Sequence, residues 1–246
     1  MTTTETTPAV PEAREGLLAR SAYAVYGVLA WIVFTILALA TLALVLLLPG
    51  IERRRRATRG GARLFLRLAG MPLEVRGLEQ LPAGQCVVVA NHASYLDGVV
   101  MKAVLPPRFA YVVKREMAGF PLAGLMLKRI GTEFVERFDR HKGASDARRV
   151  MRTASGGQPL VFFPEGTFSN ERGLLKFHSG AFITAARAGC PVVPAVIVGS
   201  REILPGTRAL PRPGPVRVRH LLRARQIPRP LGRRAPAPDR PTMGPH

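Results

Sequence analysis

From Ala22 to Leu48 the chain carries no charge, and Thr35 and Thr41 are the only small polar residues in that stretch. At ~1.5 Å per helical residue such a run exceeds the ~30 Å hydrocarbon thickness of a bilayer. The pattern predicts a transmembrane helix over residues 21–49, with a buried core helix as the competing reading. A cleaved signal peptide fits poorly, because the apolar run is too long and the basic residues follow it. Next, residues 50–72 form a basic, amphipathic juxtamembrane segment, with Leu64, Phe65, Leu68 and Ala69 on one helical stripe and Arg63 and Arg67 on another. It can lie in the membrane interface or pack on the following domain.

From Leu73 the period changes. "LEVRG", "CVVVAN", "FAYVVK", "TEFVER", "LVFFPEG", "VVPAVIVG" and "VRVRHLL" read as strands, with helical stretches near 95–105, 119–130, 141–155 and 179–188 between them. Several strands are continuous apolar runs, as expected where a sheet is covered on both faces. The fold class is therefore α/β, a layered α/β/α domain over residues 73–225, preceded by the N-terminal transmembrane helix. Pro194 is awkward inside a central strand, which points to a bulge or a strand start there. Residues 1–20 are rich in Thr and Pro and residues 226–246 in Pro and Arg; both ends are expected to be disordered.

Charge adds orientation to this picture. The chain has 36 Lys and Arg against 16 Asp and Glu, a formal net charge of +20. The balance suits a polyanionic partner: nucleic acid, an anionic membrane or phosphorylated substrates. Arg53, Arg54, Arg55, Arg56 and Arg59 follow the apolar span directly, and the more basic flank stays cytoplasmic. The expectation is a single-pass protein of the cell membrane with its N-terminus outside and its main domain in the cytoplasm. The same arginines are expected to meet anionic lipid headgroups, at roughly 1 kcal/mol each; no nucleic-acid partner is expected. Cys86 and Cys190 sit in apolar, strand-like runs and read as small buried hydrophobes.

Three stretches carry candidate chemistry. In "NHASYLDG" an apolar strand ends at His92, and Asp97 follows five residues later. On a regular helix positions five apart point about 140° from each other, so the pair can meet only across a bend. Ser94 to Asp97 also fits the capping box S-x-x-D, which gives Asp97 a purely structural alternative. If the two meet, the carboxylate holds one imidazole nitrogen protonated and the other can take a proton from a hydroxyl. In "FFPEGTFSNERGLLKFHSG", Gly166 permits an unusual backbone angle at a strand end, Thr167 and Ser169 bring hydroxyls, and Arg172 and Lys176 bring positive charge. That suits a loop receiving phosphate, against the plainer reading of a polar turn with a buried Glu165. Arg137, ending "GTEFVER", is a candidate phosphate partner. His178 reads as structural.

In order and spacing, "NHASYLD", "GTEFVER", "FPEGT" and "VVPAVI" resemble the four motifs of the 1-acylglycerol-3-phosphate acyltransferases, the PlsC-like branch of the glycerolipid H-x4-D acyltransferases. The resemblance covers roughly Leu73 to Ile203. It implies that His92 is a general base oriented by Asp97. The base activates the hydroxyl of a lysophospholipid for attack on the thioester of acyl-CoA or acyl-carrier protein, giving phosphatidic acid. It further implies substrate-binding roles for Lys114, Arg137, Glu165, Gly166 and Thr167, and no metal or other cofactor. Many members have arginine after the motif threonine; here that residue is Phe168, and Arg172 is the candidate to replace it. The departure leaves room for another acceptor, such as lyso-ornithine lipid. A catalytically inactive basic membrane-binding protein and a metal hydrolase built on His92, Asp97 and His178 are more distant alternatives.

Overall fold

The computed structural model describes residues 16–136, 140–167, 173–220 and 225–226. Two helices come first, α1 (Leu17–Leu47) and α2 (Ile51–Leu68). They are followed by β1 (Leu73–Arg76), β2 (Val87–Ala90), α3 (Asp97–Val104), β3 (Ala110–Lys114), α4 (Pro121–Arg129) and β4 (Glu133–Val135). Then come α5 (Arg140–Ser155), β5 (Leu160–Phe162), α6 (Gly180–Ala188), β6 (Pro191–Val198), α7 (Ser200–Ile203), β7 (Val216–His220) and β8 (Arg225–Gln226). The seven strands expected from the sequence are all present; α7, β8 and two short 3-10 turns carried too little periodicity to be read. Helix α1 begins at Leu17, inside the stretch expected to be disordered to residue 20, while residues 1–15 and the tail from 227 lie outside the described residues.

The sheet runs β1-β7-β6-β2-β5-β3-β4. Strands β6, β2, β5, β3 and β4 are parallel, and β7 joins β6 antiparallel. Strand β2 is buried throughout, and its side chains alternate between two cores. Val88 and Ala90 pack with α2 and α3, together with Val100, Met101 and Phe65. Val87 and Val89 pack on the opposite face against Ala181 and Ala185 of α6. This is the layered arrangement expected, and it puts the C-terminal ends of β2, β5, β3 and β4 along one edge, where open α/β sheets bind their ligands. Cys86 and Cys190 are buried, unbridged thiols, and burial pushes Cys86 up to about 11.

Pro194 needs no bulge. β6 passes straight through it, with Val89 opposite Pro194 and Ala90 opposite Ala195 on the β2 side. On the other side the described partners change from β8, at Pro191 and Val192, to β7, from Ala195 onward. A residue without an N–H sits where the ladder changes partner.

The arginine block is partly consumed by the fold. Arg55 is 4 % exposed and donates to the carbonyls of Ile130, Gly131 and Arg108 and to Gln158. Arg59 and Arg63 donate to the carbonyls of Ala103 and Val104. The Ala103 and Val104 carbonyls are the last of α3 and that of Ile130 caps α4, at ends that carry the negative pole of the helix dipole. One stripe of α2 thus docks against the ends of α3 and α4, while Arg53 and Arg56 are exposed.

Helix α1 is long and apolar enough to cross a membrane. Yet its first half touches the domain: Tyr26 donates to the Ala69 carbonyl at 2.6 Å and Trp31 to the Ala209 carbonyl at 2.8 Å. Arg212 lies over the Tyr23 ring. Gly27 is a required glycine, because an added Cβ would fall 2.6 Å from the Leu210 Cβ. Farther along, Phe34 packs edge-on against Phe65 of α2.

Candidate active site

Strand β2 ends at Ala90, and the next residue locks the edge. The Asn91 side chain donates to the Ile197 carbonyl and accepts from the Ile197 N–H, at 3.0 and 2.7 Å. It thereby continues the β2–β6 pairing one step past the last strand residue. The chain then bends, as the sequence requires if His92 and Asp97 are to meet. They do: His92 Nδ1 lies 2.9 Å from Asp97 Oδ2. The same oxygen accepts the N–H groups of Ala93 at 2.6 Å and Ser94 at 2.8 Å. Ser94 Oγ accepts from the Leu96 N–H and donates to the Leu204 carbonyl. The capping geometry and the His–Asp pair therefore coexist; the helix proper begins at Asp97, one turn later than the sequence suggests. Asp97 is wholly buried, whereas the His92 side chain is 21 % exposed. With Nδ1–H given to the carboxylate, Nε2 is the basic nitrogen. The ring stacks on Phe163, centroids 4.6 Å apart.

Strand β5 leads into Phe163-Pro164-Glu165-Gly166, a turn closed by the Gly166 N–H on the Phe163 carbonyl at 3.0 Å. Pro in its second position and Gly in its fourth are type I preferences, and Gly166 takes φ +76°. The turn aims Glu165 inward. One carboxylate oxygen accepts the His92 N–H at 2.7 Å and the other the Leu175 N–H at 2.8 Å. Glu165 is 4 % exposed. Each oxygen is thus engaged by a backbone N–H, one of them that of His92. Thr167 is exposed beyond the turn.

Lys114, at the end of β3, is exposed. Strands β3 and β5 are parallel, so Lys114 and the turn after β5 lie at the same edge of the sheet. Arg137 and Arg172 lie outside the described residues. Next to Lys114, Arg115 and Arg149 both grip Asp146 of α5 at 2.6 Å, and the Glu136 N–H reaches it at 2.9 Å. Burial works to raise the Asp146 carboxyl, but these hydrogen bonds outweigh it and hold it at about 2. The cluster ties α5 to the ends of β3 and β4; nothing in the spacing of Arg115, Asp146 and Arg149 announced it.

Two cavities share Phe163 as a lining residue. One, of about 340 Å³, runs between α1, α2, α3, α4 and the sheet, lined mostly by apolar groups such as Phe34, Leu37, Phe65, Val99 and Met126. The other, of about 260 Å³, lies on the opposite face beside Glu136, Pro164, Gly166 and His178. Phe163 lines both. The His92 imidazole stacks on this Phe163 ring. Asn91, Phe163 and the apolar cavity escaped the sequence reading; the polar Asn91 at the end of an apolar run was the one available signal. Among the described residues no group of three or more His, Cys, Asp or Glu is placed to hold a metal ion.

A family model of acyltransferases matches residues 72–198. A chloroplastic 1-acyl-sn-glycerol-3-phosphate acyltransferase of Brassica napus is 34% identical over 59% of this chain and 43% of its own. The 1-acyl-sn-glycerol-3-phosphate acyltransferase of Neisseria meningitidis is 37% identical over 58% and 55%. A lyso-ornithine lipid O-acyltransferase of Pseudomonas aeruginosa is 34% identical over 66% and 62%. The matches thus span about half the length of these relatives. Among solved structures, the 1-acyl-sn-glycerophosphate acyltransferase of Thermotoga maritima shares the fold, with a TM-score of 0.64 at 23% identity over 80% of this chain and 84% of that one.

Proposed function

The chain belongs to the acyltransferase family, and from that premise we propose that it moves a fatty acyl group from acyl-CoA or acyl-carrier protein to the hydroxyl of 1-acylglycerol 3-phosphate, giving phosphatidic acid. The observation that carries this reading is the His92–Asp97 pair, its imidazole stacked on Phe163, which lines an apolar cavity. His92 Nε2 takes the proton of the acceptor hydroxyl as its oxygen attacks the thioester carbon. The imidazolium, steadied by Asp97, returns that proton to the departing thiolate, so one C–S bond is exchanged for one C–O bond. The acyl chain occupies the 340 Å³ cavity, which brings its thioester to the His92–Phe163 stack. Exposed Lys114, with Arg137 and Arg172, receives the acceptor phosphate; Gly166 and Thr167 shape the acceptor side, and Glu165 holds His92 in register.

The membrane reading changes in one respect. A perpendicular crossing with the N-terminus outside would carry Tyr23, Tyr26, Gly27 and Trp31 away from the domain they touch. In our reading α1 stays beside the domain and gives its exposed face, Val25, Val28, Leu29, Ile32 and Ile36, to the acyl region of the near leaflet. Substrate lipid then reaches the cavity from the bilayer itself, with the domain on the cytoplasmic side.

A second acceptor, lyso-ornithine lipid, is favoured by the Pseudomonas relative and by Phe168 standing where many relatives have arginine. Purified full-length protein in vesicles, given labelled acyl donors of both types and a panel of lysolipids, separates the two. Preference for lysophosphatidate supports the first reading; indifference to the acceptor phosphate overturns it.

A further inference from the structure

Helices α5 and α6 cover the face of the sheet opposite the one that α1 and α2 cover. Val150 and Ala154 of α5, and Ala181 and Ala185 of α6, pack on that side. Tyr26, Phe34 and Leu37 of α1 pack on the other. With α1 at the bilayer, the α5–α6 layer faces away from it. The outer surface of this layer is basic. On α5, His141, Ser145, Arg148 and Arg152 are exposed and recur at helical spacing, a row about 16 Å long at ~1.5 Å per residue. Lys142 of α5, Lys176 ahead of α6 and Arg187 on α6 are exposed too. Neither Arg148 nor Arg152 has a hydrogen-bond or ion-pair partner among the described residues. Across residues 140–155 and 173–189 the only acidic residue is Asp146, which is buried. Glu133 of β4 is held by Arg149 and Thr153. Leu174, Phe177 and Ile183 stand exposed in the same layer. The cavity of about 260 Å³ lies here. Gly143 and Ala147 line it from α5, Gly180 and Thr184 from α6, Glu136 from the end of β4, and Phe163 from the end of β5.

We propose that the α5–α6 face is the docking surface for an acidic carrier protein that bears the acyl group as a thioester on a pantetheine arm. The arm enters between α5 and α6. Arm and acyl chain then meet at Phe163, which lines both cavities. The proposal rests on the acyltransferase reading and deepens it: the lipid acceptor arrives from the α1 side of the sheet and the acyl donor from the other. A coenzyme thioester would bring its phosphates to a few cations. It has no use for a row of this length, or for the exposed Leu174, Phe177 and Ile183 among the charges. Apolar side chains set among polar and charged ones are the make-up of a protein interface. An excess of one charge draws a partner of the other sign to it. The same composition suits an anionic membrane, which the packing of α1 puts on the opposite side of the sheet.

The test gives full-length protein in vesicles two donors with the same acyl group, palmitoyl-CoA and palmitoylated acyl-carrier protein, and reads the ratio of their kcat/KM values. Arg148→Glu with Arg152→Glu should lower the ratio of carrier to coenzyme by roughly tenfold through the KM for the carrier, as reversal of interface charges slows encounter. Arg148→Gln with Arg152→Gln is the second variant if that pair folds poorly, with a loss of roughly threefold expected. A ratio unchanged in both variants, or an equal loss for the two donors, overturns the docking surface and leaves the acyltransferase reading intact. So does a wild type that uses the coenzyme donor alone. Weaker co-sedimentation of the variants with anionic vesicles, at an unchanged ratio, would assign the face to the membrane and overturn the proposal. Absence of transfer from either donor to every acceptor overturns both readings.

Discussion

Asp97 spends one oxygen on three donors: the imidazole and two backbone N–H groups. Asp97→Asn, with its amide oxygen in that place, keeps all three contacts but removes the negative charge that steadies the imidazolium. The fold should survive and turnover should fall by roughly 10³- to 10⁴-fold, the scale seen when a serine-protease triad loses its orienting carboxylate. Steady-state kinetics beside a melting curve would check this; unchanged turnover would mean that Asp97 is only a cap. Glu165→Gln puts an amide N–H against a backbone N–H, either at His92 or at Leu175. The expected result is a kcat drop of about tenfold or more with little change in KM, since a displaced base costs rate more than ground-state binding. A KM rise at unchanged kcat would show that Glu165 acts in substrate binding. The His92–Asp97 meeting was legible because two residue types of known chemistry flank a bend. The Glu165 contacts were not: a glutamate in a turn reads the same whether it faces solvent, substrate or backbone.

Among the elements, the strands and four domain helices were legible because a doubly covered sheet writes long apolar runs into its strands. What periodicity could not carry is how elements dock. The stripe Arg55, Arg59, Arg63 repeats every four residues, as a solvated helix face also would, and only the carbonyl ends of α3 and α4 give it a purpose. The Asp146 cluster is a second such case and has a pH signature. Its folded carboxyl sits at about 2, below the usual carboxylate range. Its contribution is therefore complete above the unfolded value near 4 and is lost as pH falls toward 2. Asp146→Asn should cost roughly 1–3 kcal/mol at neutral pH, the ordinary loss for a broken buried network. The gap in Tm between the two proteins should close as pH is lowered through that window. A gap that persists at pH 2 would show that packing, not charge, carries the cluster.

For the whole molecule, the central question is where the bilayer sits. The apolar run is long enough for a crossing, and the contacts of Tyr26 and Trp31 with Ala69 and Ala209 hold the N-terminal half of α1 against the domain. An epitope fused ahead of residue 1 should therefore be cleaved by protease from the same side of sealed vesicles as an epitope after residue 246. Cleavage from opposite sides would restore the spanning helix. Sequence could not settle this, because a helix that crosses lipid and one that lies in it need the same residues.

The reaction we propose draws on all three scales: an imidazole at the sheet edge acts on a lipid hydroxyl while the helices hold an acyl chain. The direct measurement is transfer of a labelled acyl group to lysophosphatidate by full-length protein in vesicles, wild type against His92→Ala. We expect labelled phosphatidic acid from the wild type and a fall of roughly 10²- to 10⁴-fold in the variant, with the melting temperature unchanged. Turnover by His92→Ala close to that of the wild type would contradict the account.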